Sequence, residues 1–322
     1  TPNPLIDFQL PNAYVNETRK FHVFGNFYVR LNLYDGLKFT TTFSPNYYHG
    51  RQGVFFGTGV TEQFPKGSAY FQNKKYNSAS VVNTDRLDWT WDNQIDYSKT
   101  WGDHSLNAMG LFSMYASNKE TYEMSGRNIS DDKLTYHALG KAGSEGMAID
   151  SGYTESSLVS FAARANYSYK GKYMATVTFR ADGSSRFAKD NRWGYFPSAA
   201  FAWNIANEKF LKDQKVLSAL KLRLGWGITG QQEFSEDYAA LQYSEISQDP
   251  TNQYPLGGQN GGFYYPVKPH AFNAALKWEE TTTYNVGLDF GFLDGRIKSG
   301  QCRKGRKLRA ALNVGHWPAV GR

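Results

Sequence analysis

The amino-acid sequence predicts an all-β chain: a partial antiparallel transmembrane β-barrel, about nine strands of a larger barrel, with long extracellular loops. Three observations predict it. The first is alternation. Tyr173, Ala175, Val177, Phe179 and Ala181 share one parity, and Met174, Thr176, Thr178, Arg180 and Asp182 share the other. Parity in a strand is face, so one side is apolar and the other hydrophilic. The second is length, because the alternation lasts beyond the roughly five or six residues of an average soluble strand. The third is that Tyr167, Tyr169, Tyr173, Trp193 and Tyr195 gather near strand ends, where a membrane boundary favours amphipathic rings.

Composition narrows the class further. Aromatic residues make up 16% of the 322 residues, yet no run of 18 or more apolar residues exists, which excludes a helical membrane span. The mean hydropathy of -0.58 is compatible with a barrel, since half of every strand faces water. The net charge of +7 is concentrated in Lys298, Arg303, Lys304, Arg306, Lys307, Arg309 and Arg322, leaving 29 of the 36 Lys and Arg against 29 Asp and Glu. The body is therefore neutral, and no nucleic-acid partner is expected. The single cysteine, Cys302, lies in the same basic segment, so the body offers neither a thiol nucleophile nor a thiolate metal site, as suits an oxidising envelope. Thr1-Pro2-Asn3-Pro4-Leu5 has neither a basic nor an apolar signal region, which favours an internal piece of a longer protein.

Residues 1–18 are polar and read as a loop. The first strand is expected over Phe21 to Tyr34, with Phe27, Val29, Leu31 and Leu33 opposite Tyr28, Arg30 and Asn32; Asp35-Gly36 makes a tight turn into a strand beginning Leu37, Phe39, Thr41 and Phe43. Residues 44–83 read as an irregular external loop. Leu87, Trp89, Trp91, Ile95 and Tyr97 mark a third strand, Trp101 to His104 a turn, and Leu106 to Ser117 a fourth strand in which two parities compete. Residues 122–153 read as a second long loop. The fifth strand, Leu158 to Tyr169, places Val159, Phe161, Ala163, Ala165 and Tyr167 outward and Ser160, Arg164, Asn166 and Ser168 inward. The sixth follows, and Trp193, Tyr195, Ala199, Phe201, Trp203 and Ile205 form the apolar face of a seventh. Asn207 to Lys215 reads as one helical turn. The eighth strand turns Leu220, Leu222, Leu224 and Trp226 outward; the ninth turns Tyr284, Val286, Leu288, Phe290 and Phe292 outward and Thr283, Asn285 and Asp289 inward. Between them lies the longest loop, residues 229–278, too long for a compact soluble domain but ordinary outside a barrel.

The string Arg180, Asp182-Gly183-Ser184-Ser185-Arg186-Phe187, Asn191-Arg192-Trp193-Gly194-Tyr195-Phe196-Pro197-Ser198 resembles the barrel of SusC/RagA-type TonB-dependent outer-membrane transporters. Trp203, Glu208-Lys209-Phe210, Leu220-Lys221-Leu222-Arg223, Gly227-Ile228-Thr229-Gly230-Gln231 and Leu276-Lys277-Trp278-Glu279-Glu280-Thr281 continue the likeness in order and spacing. The resemblance covers about Arg19 to Ile297, so the chain divides into a barrel portion, residues 1–297, and an off-pattern basic tail, residues 298–322, for which a shifted or misassembled reading frame is the favoured origin and a real basic peripheral tail the alternative. It implies a plugged barrel in a Bacteroidota-like outer membrane. It also implies TonB-driven import of an oligosaccharide or peptide, capture aided by a SusD-like surface lipoprotein, and no activity by this piece alone, since the plug that meets TonB lies outside it. A secreted β-rich carbohydrate-binding protein is the alternative.

No enzyme, cofactor or metal site is expected. The six histidines show no ligand spacing, and no nucleophile elbow or phosphate loop occurs. The pairs Asp131-Asp132 and Glu279-Glu280 lack a partner at a glycosidase separation. The site candidates are instead Arg164, Arg180, Asp182 and Arg186. Strand parity places the first three inward, where they would meet the plug or line the solute path. Tyr70, Phe71, Phe263, Tyr264 and Tyr265 are loop aromatics suited to sugar stacking or to loop packing.

Overall fold

The computed structural model describes residues 14–57, 77–211, 217–232, 273 and 275–292, together with strand segments at 244–246, 254–255, 263–264, 267–269 and 297–309. Its strands are β1 (Tyr14–Phe24), β2 (Phe27–Tyr34), β3 (Leu37–Phe56), β4 (Ser78–Trp101), β5 (His104–Arg127), β6 (Ala148–Tyr169), β7 (Tyr173–Ser184), β8 (Trp193–Tyr195), β9 (Ser198–Asn204), β10 (Leu217–Gln231), β11 (Ser244–Ile246), β12 (Tyr254–Pro255), β13 (Phe263–Tyr264), β14 (Val267–Pro269), β15 (Glu279–Phe292) and β16 (Ile297–Arg309). Twelve form one sheet in the order β1-β3-β4-β5-β6-β7-β9-β10-β15-β16, with β2 also on β3 and β8 also on β7. Neighbours in sequence pair antiparallel, as an up-and-down barrel wall requires, and among the described strands the sheet stays open.

Several expected boundaries are corrected. The first expected strand is two, β1 and β2, broken at Gly25-Asn26, whose Gly25 N–H donates to the Pro45 carbonyl at 2.9 Å. The stretches read as loops at 44–83 and 122–153 are entered by strand from both ends: β3 runs on to Phe56 and β4 begins at Ser78, while β5 runs on to Arg127 and β6 begins at Ala148, with 3-10 turns at Asp132–Lys141 and Ser144–Gly146 between them. Both β4 and β5 reach 24 residues, more than twice the 9–11 or so that a tilted strand needs to cross the hydrocarbon. Alternation reports only the part of a strand with one continuous apolar side; beyond it, backbone hydrogen bonds continue the ladder whatever the side chains are. The ambiguous fourth strand resolves with Phe112 against Trp91 at 6.4 Å and Phe161 at 5.2 Å, so Leu106, Ala108, Phe112 and Met114 share the outward parity. Of the helical turn expected at 207–215, the described residues form two short 3-10 turns, Ile205–Asn207 and Lys209–Leu211, and the rest lies outside the described residues. The 229–278 loop contains two small ladders, β11 with β14 and β12 with β13. Ile297–Arg309 pairs with β15 along its whole length, from Phe292 opposite Ile297 to Glu280 opposite Arg309, although no apolar parity marks it.

The chain divides into two compact units: Thr1–Phe27, Phe43–Thr90 and Ala116–Glu155 form one, and Tyr28–Thr42, Trp91–Tyr115 and Ser156–Arg322 the other. The first unit has its own core of Phe55, Ala79, Val81, Ile129, Tyr136 and Ala138. Asn77 fastens the connection after β5 to the start of β4. Its amide donates to the Ile129 carbonyl at 2.7 Å and to Asp132, and its oxygen accepts the Ile129 N–H at 2.5 Å. The Tyr136 ring lies where a Cβ on Gly53 would stand, and its hydroxyl donates to Glu17.

The second unit is a two-faced sheet. In register, Ala163 meets Phe179, Ala165 meets Val177, Ala175 meets Phe201, Leu224 meets both Phe201 and Val286, and Trp226 meets Tyr284. Phe161, Val177, Phe179, Phe201, Leu224, Trp226, Tyr284, Val286 and Leu288 are all exposed on this side. So large an uncovered apolar surface on a water-soluble chain would aggregate; in a bilayer it is the lipid-facing side. Gly36, at φ +77°, turns β2 into β3, and a Cβ there would stand 2.1 Å from the Ser98 carbonyl oxygen of β4.

Candidate functional site

The opposite face of the second unit is polar, and its side chains are fixed by strand register. Ser160 on β6 is opposite Asp182 on β7, and Arg164 is opposite Thr178. The Arg180 Nε donates to both Asp182 carboxylate oxygens, at 2.8 and 2.7 Å, and its Nη2 donates to the Ser160 hydroxyl at 3.2 Å. The Asp182 side chain is 8% exposed and that of Arg180 44%, so the carboxylate is held inside and the guanidinium forms the surface. A buried carboxylate persists only when hydrogen-bonded and paired, which is what Arg180 supplies. Arg164 donates to the Thr178 hydroxyl at 3.2 Å, and Thr176 donates to the Asn166 amide oxygen at 2.9 Å, continuing the polar row.

Of the four expected site residues, the structure places Arg164, Arg180 and Asp182 on one face and brings the last two into contact. Arg186 sits in the turn that follows β7, half-buried, with its N–H donating to the Ser184 hydroxyl at 3.3 Å. Next to Arg180 and Asp182 an aromatic cluster closes the end of the sheet. Phe187, Phe196 and Trp278 are almost fully buried, the Trp278 ring lying 5.1 Å from Phe187 and 5.2 Å from Phe196, and the Trp278 indole N–H donates to the Arg192 carbonyl at 2.9 Å. Arg180 and Phe196 exchange backbone hydrogen bonds, which places the Phe196 ring on the Arg180 side of the sheet. Together Thr178, Arg180, Asp182, Phe196, Thr229 and Trp278 line a hollow of about 460 Å³.

A second ion pair on this face escaped the sequence reading. Arg223 of β10 grips Asp289 of β15 through two bonds, Nε to Oδ2 and Nη2 to Oδ1, each 2.7 Å. The parity of both residues was legible; their pairing was not, because the two lie 66 positions apart. Gly287 lets the guanidinium lie flat, since a Cβ there would come within 3.2 Å of its Cζ. Asp131 and Asp132 have structural duties: Asp131 accepts the Lys133 N–H at 3.0 Å, and Asp132 accepts from Asn77. Phe263 and Tyr264 lie on β13, whereas Tyr70, Phe71 and Tyr265 fall outside the described residues.

Comparison with known proteins agrees with this architecture. The family described as TonB dependent receptor-like, beta-barrel matches residues 3–299. The TonB-dependent receptor SusC of Bacteroides thetaiotaomicron is 54% identical over 160 residues, 50% of this chain and 16% of SusC. The TonB-dependent receptor P3 of Formosa agariphila is 30% identical over 291 residues, 90% of this chain and 27% of that receptor. Among solved structures, the RagAB peptide transporter superposes with a TM-score of 0.75 at 19% identity, covering 92% of this chain and 31% of that one, and the same importer in its open-open state gives 0.76. The chain thus spans about a third or less of the length of the proteins it matches. With a lipid-facing wall, a polar inner row and a family match over nearly its whole length, the chain belongs to the TonB-dependent receptor-like β-barrel family of the outer membrane, and to its SusC/RagA type.

Proposed function

We propose that the chain forms part of the wall of an outer-membrane transporter that imports an oligosaccharide or a peptide. TonB would act through a plug region outside these strands, and a SusD-like surface lipoprotein would deliver the substrate. One observation carries the reading: a single sheet presents an exposed apolar face on one side and, on the other, a row of polar groups that includes the Arg180–Asp182–Ser160 cluster. Such a wall suits lipid outside and water inside. An open sheet edge costs several kcal/mol for each unpaired backbone group in hydrocarbon, roughly the value of an unmade hydrogen bond there, so closure requires strands beyond the described ones. The likeness to the TonB-dependent receptor SusC supports import, and the superposition on the RagAB peptide transporter supports the shared barrel fold.

Arg164, Arg180, Asp182 and Arg186 are assigned to holding the plug rather than to direct substrate contact. All four are already engaged: Arg164 with Thr178, Arg180 with Asp182, and Arg186 through its backbone N–H with Ser184, and engaged groups keep a surface in shape. The test uses the full-length transporter in its native cell. Uptake of labelled oligosaccharide and peptide pools is measured with and without an uncoupler and in an Arg180→Ala/Asp182→Ala variant. The reading expects uncoupler-sensitive uptake of one pool, and a variant that leaks bulky antibiotics through a loosened plug. Uptake indifferent to the proton gradient would overturn TonB-driven import; lost uptake without leakage would move the residues to the substrate path.

A further inference from the structure

Five rings form a continuous row at the turn end of the second unit. Trp101 stacks on His104 at 5.6 Å, His104 lies 4.8 Å from Tyr169, Tyr169 lies 6.5 Å from Tyr173, and Tyr173 lies 6.2 Å from Trp203. Tyr169, Tyr173 and Trp203 are direct register partners on the apolar parity of β6, β7 and β9. Rings with polar edges, in a row at the end of a lipid-facing sheet, belong at the boundary between hydrocarbon and water. The connections here are tight turns, at Gly102-Asp103 and Lys170-Gly171, so this is the periplasmic end.

Charges alternate directly beyond the rings. The Lys170 ammonium lies 5.2 Å from the Tyr169 ring centre and 3.2 Å from Asp103. The Lys172 ammonium donates to Glu208 Oε2 at 2.8 Å, while Glu208 Oε1 accepts the Tyr173 hydroxyl at 2.6 Å and the Trp203 indole N–H at 3.2 Å. Lys209 and Phe210 follow, both exposed, Phe210 at 72%. Asp103, His104, Lys170, Lys172, Asn207 and Lys209 line a cavity of about 890 Å³ at this rim. A wholly anionic headgroup would meet Asp103 and Glu208, and a wholly cationic one would meet three lysines. A headgroup carrying a phosphate next to a primary ammonium meets both signs of rim charge with their complements.

We propose that this rim is a binding site for the phosphoethanolamine headgroup of a glycerophospholipid in the periplasmic leaflet. The phosphate sits on Lys170 and Lys209, the ammonium on Asp103, and the acyl chains along the ring row, whose Tyr173 and Trp203 are held by the Lys172–Glu208 pair. The inference rests on the barrel reading above.

The test takes the full-length protein from outer membranes in mild detergent, delipidates it stepwise, and counts retained lipid by native mass spectrometry. Defined phosphatidylethanolamine and phosphatidylglycerol are then added back. Wild type is expected to hold phosphatidylethanolamine in preference to phosphatidylglycerol, and Lys170→Gln/Lys172→Gln/Lys209→Gln to hold at least about ten-fold less, since each interfacial lysine contributes on the order of 1 kcal/mol. Lys170→Gln/Lys209→Gln leaves the Lys172–Glu208 bond intact and serves if the triple variant misfolds; heat-shifted electrophoretic mobility reports a folded barrel. Equal retention by wild type and the folded lysine variants, or equal retention of the two lipids by wild type, overturns the site. Wild-type protein that fails to reach the outer membrane overturns the barrel reading instead.

Discussion

Arg180 holds both oxygens of Asp182, two residues along the same strand, and the pair is asymmetric: the acid is buried and the base is half in solvent. Removing the base therefore does more harm than its exposed charge suggests, because the acid stays behind. Arg180→Ala is expected to destabilise the folded barrel by about 1–2 kcal/mol, the cost of an unpaired charged hydrogen bond discounted for the exposed guanidinium. Arg180→Ala/Asp182→Ala should recover part of that loss. Denaturant unfolding in detergent measures the cycle; a double variant less stable than Arg180→Ala would refute the pairing.

Arg223 and Asp289 form a flat, two-bond pair on neighbouring strands. Arg223→Lys keeps the charge but loses the fork, and at an exposed site the expected cost is no more than about 1 kcal/mol. Gly287→Ala crowds the guanidinium without touching backbone, so the fold should survive with a loosened pair. A nitrogen-15 spectrum of the Arg223 side chain would show this as lost protection of Nε–H.

Trp278 joins the end of β8 to the loop before β15 through its rings and its indole N–H. Trp278→Ala is expected to cost about 3–5 kcal/mol, the range for truncating a large buried aromatic. Trp278→Phe keeps most of the packing and gives up one hydrogen bond, for about 1 kcal/mol. Thermal unfolding of both variants should rank them in that order.

Two glycines are held by neighbours rather than by turns alone. Gly36→Ala sets a Cβ against the Ser98 carbonyl at a left-handed φ, and Gly53→Ala sets one into the Tyr136 ring. Each is expected to destabilise by about 1–3 kcal/mol, with Gly36→Ala the worse because backbone cannot step aside. Gly102→Ala, at φ +53° but with open space around it, should cost less than Gly36→Ala.

The Glu208 carboxyl is drawn down to about 2, first by the Lys172 ammonium and then by the Tyr173 hydroxyl and the Trp203 indole. A carboxyl lowered on folding stabilises the native state above its unfolded value, about 4.3, and the contribution fades as pH falls from there toward 2. Wild type should exceed Glu208→Gln in melting temperature at pH 7, and the gap should close across that window. A gap independent of pH would show that the carboxylate charge does not matter there.

The sequence by itself determined the membrane-crossing part of this protein. Period-two alternation in β6, β7, β9, β10 and β15 named the lipid face, and with it the inward parity of Arg164, Arg180, Asp182, Arg223 and Asp289, because in a strand the side-chain direction follows from position alone. Tertiary structure decided everything that depends on which strands meet. The outer lengths of β3 to β6 are held by backbone bonds that any residue can make, so they continue where the alternation that marks a lipid face has stopped. The contacts of Tyr136 with Gly53, Trp278 with Phe187 and Arg223 with Asp289 join positions separated by long connections. Local preference cannot set such register; it is fixed only when turns, bulges and the facing strand settle together.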